Sequence, residues 1–250
     1  MKKSVKYLIL ITSIFVFLST KTNAQDRKFN FGIHFAPNVS WIKPDVDGGE
    51  AYKYEPDGAR VLMGYGADFN YFFIPNIAIG TGINVVYNGG KLRYPTPYTV
   101  RDNYDNPLDT VQCNLYRKYK LQYLEIPIVI VGSTGDLMGN FSIYGKFGIG
   151  SGFKLKARAD DEFKEIASEK SYIKKNTNIG HDVSFFKESL IIGLGGTYKF
   201  KKIISLNFGV NYDGGFTDIL RSENAGSTEQ KKIEENAKAS YLELYVGILF

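Results

Sequence analysis

The chain has one Cys, two His, one Trp and three Met among its 250 residues, so it is short of the side chains that reactive chemistry uses most. The single cysteine, Cys113, cannot form an internal disulfide, which excludes a stapled scaffold. A phosphate-binding loop, a CxxC pair, an HExxH helix and a dinucleotide fingerprint are all missing. No cofactor is indicated, and no catalytic, cofactor-binding or metal-ligating residue is assigned. Acid is missing from the first 24 residues, which hold Lys2, Lys3, Lys6 and Lys21. With those four lysines set aside, the formal charge of +5 becomes 27 basic against 26 acidic residues. The basicity belongs to the N-terminal segment, and nucleic acid is excluded as a partner.

That segment, MKKSVKYLILITSIFVFLSTKTNAQ, is a short positive region, an apolar run over residues 7–18, and small or polar residues up to Ala24. Twelve apolar-biased residues fall short of the ~20 that a helix needs to span a bilayer. Residues 1–24 therefore read as a cleaved secretory signal, with the mature protein starting near Gln25. No Cys follows the cleavage point, so a lipid-modified N-terminus is unsupported. Residues 25–250 read as a single domain. Its eighteen Tyr, eighteen Phe and 26 Gly favour strands and turns.

An alternation of period two runs through that domain. Phe29, Phe31, Ile33, Phe35, Val39 and Trp41 share one face of a first strand, opposite Asn30, Gly32, His34, Asn38 and Ser40. The pattern recurs over residues 60–71, 77–88, 124–130, 141–156, 186–198, 204–213 and 241–250, giving eight runs. In the fourth, Leu124, Ile126, Ile128 and Ile130 oppose Glu125 and Pro127. In the fifth, Phe141, Ile143, Phe147, Ile149, Phe153 and Leu155 oppose a face that includes Lys146, Lys154 and Lys156. Glu188 is an exception on the apolar face of the sixth. The eighth places Leu242, Leu244, Val246, Ile248 and Phe250 on one side, and Tyr241, Glu243 and Tyr245 on the other.

Connection lengths alternate as well. Residues 72–76, 132–139 and 200–202 are short links; residues 43–58, 91–114, 157–181 and 220–237 are long ones. Membrane barrels of the bacterial outer membrane join their strands by short periplasmic turns and longer outer loops. In lipid every backbone group must be paired within the sheet, and an even, closed ring leaves no edge. The expectation is an all-β, eight-stranded antiparallel transmembrane β-barrel, with four extracellular loops and a lumen narrow enough for side chains to fill. The rival is a water-soluble barrel of the lipocalin type, whose apolar face points inward around a ligand. FGIHFAPNVSWI in the first strand, YLEIPIVI in the fourth and the strand ending on Phe250 resemble the PorT-like outer-membrane β-barrel family over residues 29–250. Some members of that family are implicated in protein secretion. The terminal Phe resembles the signal that the barrel-assembly machinery reads.

His34 lies on the polar face, where it could meet Asp68 or Glu243; a structural hydrogen bond is expected rather than catalysis. His181, beside Asp182, lies at the rim of the third long link. A Ser-His-acid hydrolase is not supported by spacing. Asp68, Glu125, Lys146, Lys154, Asp213 and Glu243 share the inward parity and are expected to form paired charges, with an ion path as the alternative. The first long link, with Asp45, Asp47, Glu50, Glu55 and Asp57, departs from the calcium-hand spacing and is expected to be a solvated acidic loop, with loose divalent-ion binding as the alternative. In the third, Phe163, Ile166, Ala167 and Lys170 stand at helical spacing and predict a short amphipathic helix. The fourth is polar. The function expected is a non-enzymatic integral outer-membrane protein that displays loops to a protein partner, with a small transport barrel or an outer-membrane enzyme as alternatives.

Overall fold

The computed structural model describes residues 28–45, 54–102, 106–137, 139–168, 170–200, 204–220 and 236–250. They form eleven strands: β1 (Phe29–Asp45), β2 (Glu55–Gly58), β3 (Arg60–Ile74), β4 (Ile77–Asn88), β5 (Lys91–Arg101), β6 (Pro107–Ser133), β7 (Phe141–Glu165), β8 (Ser171–Asn178), β9 (Phe186–Lys199), β10 (Ser205–Gly215) and β11 (Asn236–Leu249). No helix occurs among the described residues. The signal segment, residues 46–53 of the first long link and residues 221–235 of the fourth lie outside the described residues.

Eight strands close into a ring of antiparallel ladders in the order β1-β3-β4-β6-β7-β9-β10-β11, and β11 returns to β1. The seam runs from Gly32↔Leu249 to Asp45↔Asn236, and Phe31 and Phe250 exchange backbone hydrogen bonds of 2.7 and 3.3 Å beside it. The polar parity of each run points inward, where Ser189, Asn211 and Asp213 are buried. The apolar parity points out, leaving Val61 80% and Leu194 69% exposed. A water-soluble protein hides such a continuous apolar surface. The lipocalin reading therefore fails on the direction of the apolar face.

The long links hold more order than loops. β6 has 27 residues and β7 has 25, where a spanning strand needs ~9–11. At ~3.3 Å per residue, β6 alone runs roughly 90 Å. The two strands stay paired from Ser133↔Tyr144 to Cys113↔Glu165. Beyond the ring, β5 adds to one side of this pair and β8 to the other, while β2 adds to β5. The result is a five-stranded arm, β2-β5-β6-β7-β8, that grows out of the barrel wall.

The amphipathic helix predicted around Phe163 is not formed. Phe163 lies in β7, and the chain turns back after Glu165 into β8. The segment around Phe163 alternates instead: Ala159, Asp161 and Phe163 are buried on one side, while Glu162 and Lys164 face the other, and Ile166, Ala167 and Lys170 lie in the turn. Pairing with β6 and β8 decides in favour of the strand. A second difference lies at Leu155, where a β-bulge interrupts the β6–β7 register between Gln122↔Lys156 and Tyr123↔Lys154. The extra residue shifts the parity of β7, so Lys156 points outward and Ala157 inward. The chain enters the arm through Gly89, whose φ of 156° and Cβ position 2.3 Å from the Tyr119 carbonyl exclude a larger residue.

Candidate functional site: the plugged lumen and the arm

The centre of the lumen is an ion cluster that three strands assemble. Lys187 of β9 places its ammonium 2.9 Å from a Glu125 oxygen on β6 and 3.6 Å from an Asp213 oxygen on β10. All three side chains are essentially inaccessible to solvent. Ser189 donates to Asp213 at 2.6 Å, and the Tyr241 hydroxyl donates to Glu125 at 3.1 Å. The Lys187 ammonium also lies over the rings of Tyr123 and Tyr241, at 5.6 and 5.3 Å from their centroids. Burying one of these charges alone would be costly; together they satisfy one another.

Nearer the turn end, His34 meets Asp68 through Nδ1 at 2.7 Å, and the Tyr245 hydroxyl donates to the same carboxylate at 2.6 Å. Lys146 sits 4.7 Å from the Tyr245 ring centroid. Asn211 donates to Glu243 at 2.6 Å. Of the two acids offered to His34 by the sequence, the structure selects Asp68. Of the inward charges, Glu125 and Asp213 are found in ion pairs, while Asp68 is held by hydrogen bonds from His34 and Tyr245. The cation between the two carboxylates, Lys187, was readable only as one of many polar-face residues, because nothing short of the β6–β7, β7–β9 and β9–β10 registers brings it to Glu125 and Asp213. Lys154 stands apart and donates to the carbonyls of Gly180 and Val183.

Those carbonyls belong to a cap over the loop end. Residues 179–184 and 216–220 fold inward, joined by the bridge Val183↔Leu220 and a 2.7 Å bond from Ser184 N to the Ile219 carbonyl. Ile179, Val183, Ile219 and Leu220 pack with Ile42, Leu92, Tyr119 and Leu121 in one apolar cluster. The lumen is therefore sealed twice at the loop end, by apolar side chains and by the ion cluster beneath them. From the turn end it opens as a blind cavity of about 650 Å³, walled by His34, Asp68, Lys146 and Glu243 and floored by Glu125, Asp213 and Tyr241. Among the described residues, no group of His, Cys, Asp or Glu is placed to hold a metal ion. His181 is exposed at the loop end, far from His34 in the ring, and the two histidines do not converge.

The arm has a core of its own. Cys113, Leu115 and Phe163 are buried against Tyr94, Tyr98, Val111 and Tyr172. Tyr98 of β5 stacks on Tyr172 of β8 at 5.0 Å, although these strands share no ladder, so the sheet curls until its flanks meet. Arg117 donates two bonds to Asp161, 2.7 and 2.9 Å, at the base of this core. Burial, with Glu165 nearby, pushes the Cys113 thiol up from its ordinary value, so it is a poor nucleophile. On the outer side, burial would raise Asp160, but Lys120 and the Asn176 backbone N–H hold its carboxyl below the ordinary range.

The family comparison fits this architecture. A sequence model described as "Outer membrane protein beta-barrel domain" matches residues 23–221. The chain belongs to that family. Its short turns are accordingly periplasmic, its arm and cap extracellular, and its exposed apolar belt faces lipid. No curated protein matches the sequence. Among solved structures, this outer-membrane barrel is similar to Neisserial surface protein A, at 11% identity and a TM-score of 0.39 over 89% of this chain and 96% of that one. It is also similar to Ail of Yersinia pestis, at 13% identity and 0.31 over 90% and 100%. A third is the outer membrane protease OmpT of Escherichia coli, at 11% identity and 0.39 over 93% and 99%. At these scores the likenesses carry no argument; the barrel stands on its hydrogen-bonded ring and its family.

Proposed function

We propose that this outer-membrane barrel is a non-enzymatic interaction protein, a rigid wall that presents the β-arm to a protein partner outside the cell. The single observation behind the reading is the unbroken β6–β7 pairing, which continues the wall into a sheet with its own aromatic core. Ordered display of this kind is what a binding element needs, since little is lost on docking a surface that is already fixed. The sealed loop end argues against a solute path. The YLEIP resemblance extends this to a PorT-like protein, including a link to secretion, and residues 1–24 to a signal removed on export. The other partners in this reading are lipid around the wall and the assembly machinery during insertion.

The test is to shorten both hairpins of the arm, removing residues 93–116 and 161–175, and to compare partner capture by cross-linking on intact cells. Loss of a specific cross-linked protein, with the heat-dependent gel shift of the barrel retained, is the expected result. Capture that survives the deletion would end the proposal. In planar bilayers the intact protein should give no conductance steps.

The periplasmic cavity favours a second reading, a small-ligand barrel. Asn84 and Asn211, which line it, each carry a buried side-chain oxygen with no hydrogen-bond partner among the described residues. Such acceptors call for a donor. Retention of a polar small molecule through purification, lost in Asn211→Leu, is the outcome that reading requires.

A further inference from the structure

Just above the lipid-facing belt, the outward side of the wall carries a concentration of one charge. Reading up β6, the outward residues are Ile128, Ile126, Leu124, Gln122, Lys120 and Lys118. On β7, past Phe153 and Leu155, they are Lys156, Arg158 and Asp160. The registers set Lys120 directly opposite Arg158, and Lys118 between Lys91 of β5 and Asp160 of β7. Lys156 is exposed one rung lower, opposite Gln122. Like charges placed directly across a ladder destabilise it. Among the described residues, the carboxylate that interacts with these five cations is Asp160, which pairs with Lys120 and also feels Lys118. Arg158 donates at 3.2 Å to the Asn176 carbonyl, a neutral acceptor, and makes no ion pair among the described residues. Farther out on the arm, Arg93 is paired to Glu55 and Lys164 lies 3.5 Å from Glu162. Lys174 of β8, also on the arm, lies over the Tyr98 and Phe163 rings.

We propose that this band is a binding site for the phosphate groups of outer-leaflet glycolipid. Its height decides the occupant. The cations begin where Leu124 and Leu155 end, so a ligand that neutralises them must also lie along hydrocarbon, which an acidic protein or a free anion does not do. Acyl chains against Ile126, Leu124, Phe153 and Leu155 would hold a headgroup at the level of Lys156, Arg158 and Lys120. Long basic side chains reach such a headgroup from an interfacial position, and the guanidinium fork of Arg158 suits a phosphate. Anion binding also relieves the Lys120↔Arg158 and Lys91↔Lys118 oppositions.

The experiment is native mass spectrometry of the full chain, folded in neutral detergent and titrated with a phosphorylated diglucosamine lipid or with its dephosphorylated form. The wild type should bind the phosphorylated lipid at least ten-fold more tightly. Each cation near an anionic surface contributes roughly five-fold, so Lys120→Gln/Lys156→Gln/Arg158→Gln should erase the preference. Equal binding of the two lipids, or an undiminished preference in the variant, overturns the proposal. Displacement of the lipid by equimolar inorganic phosphate would overturn it too, since the site would then read anions alone. Without lipid the single variant Lys156→Gln should melt no lower than the wild type, because Lys156 is exposed and the Lys120–Asp160 pair is left in place. Should the triple variant fail to fold, the exposed Lys156→Gln carries the test, with roughly a five-fold loss expected.

Discussion

Within β6, two regions obey opposite rules. From Leu124 to Ile130 the outward side is aliphatic and the inward side carries Glu125; from Cys113 to Leu121 the inward side carries Cys113, Leu115 and Tyr119, while Asn114, Lys118 and Lys120 face out. The parity of the strand never changes, only the chemistry assigned to it. Below the boundary the outer solvent is lipid, so polar groups are gathered in the lumen and must satisfy one another. Above it the solvent is water, and the arm buries apolar side chains as any soluble sheet does. Ion pairing therefore holds the inside of one half, and packing holds the inside of the other. The same kind of substitution should cost different things in each.

The sharpest way to break the lower half is Lys187→Met, which leaves Glu125 and Asp213 buried without their cation. A loss of about 3–5 kcal/mol is expected, read as a drop in the temperature at which the folded gel band disappears; Glu125→Leu should move it the same way. An unchanged midpoint in both would mean the cluster does not hold the lumen. In the upper half, Leu115→Ala should cost about 2–5 kcal/mol, but only in the arm. Cys113, slow to react with a maleimide at neutral pH in the wild type, should become reactive, while the heat shift of the barrel stays as it was. Loss of the heat shift would show that the two halves are not separable.

The outward faces give a subtler contrast. Ile128→Arg puts a charge into the lipid belt and should cost about 2–4 kcal/mol, whereas Asn114→Arg on the same side of the same strand should be neutral; equal costs would misplace the boundary. The smallest effect concerns acid. Asp160 is held below its ordinary range, so the stability it lends is complete above about 3.9, the unfolded aspartate value, and is lost as pH falls through the lower folded value. Protease sensitivity of the arm should rise in that acidic window and respond to Asp160→Asn, with the gel shift unaffected.

The barrel half was legible in the sequence because its rule is strictly local. Val61, Ile79 and Leu244 alternate with polar neighbours, and the direction of each follows from parity alone. The short and long connections then fixed the order of the ring. The arm was not legible for a physical reason. Phe163, Ile166, Ala167 and Lys170 satisfy a helical spacing, yet Phe163 ends up paired in β7 and the other three lie in the turn before β8, and only the ladders with β6 and β8 decide this. The bulge at Leu155 added to this by shifting the count within β7. In the lumen, the facing of Glu125 and Asp213 could be read, but their partnership with Lys187 depends on three ladders at once. His34 was closer to hand, since the β1–β3 register is set by one long connection.

The ladder between β6 and β7 has one more meaning when it is considered mechanically. It crosses from membrane to arm with a single bulge and no break, so the arm has no hinge where it leaves the wall. A partner pulling on the arm along its strands would load that ladder in shear, with many rungs resisting together. The same pull across the strands would peel β8 or β2 from the flanks first, because each is paired along only one side. The arm is therefore a handle with a stiff direction and a weak one, and it transmits tension into the closed ring only along the line of the strands.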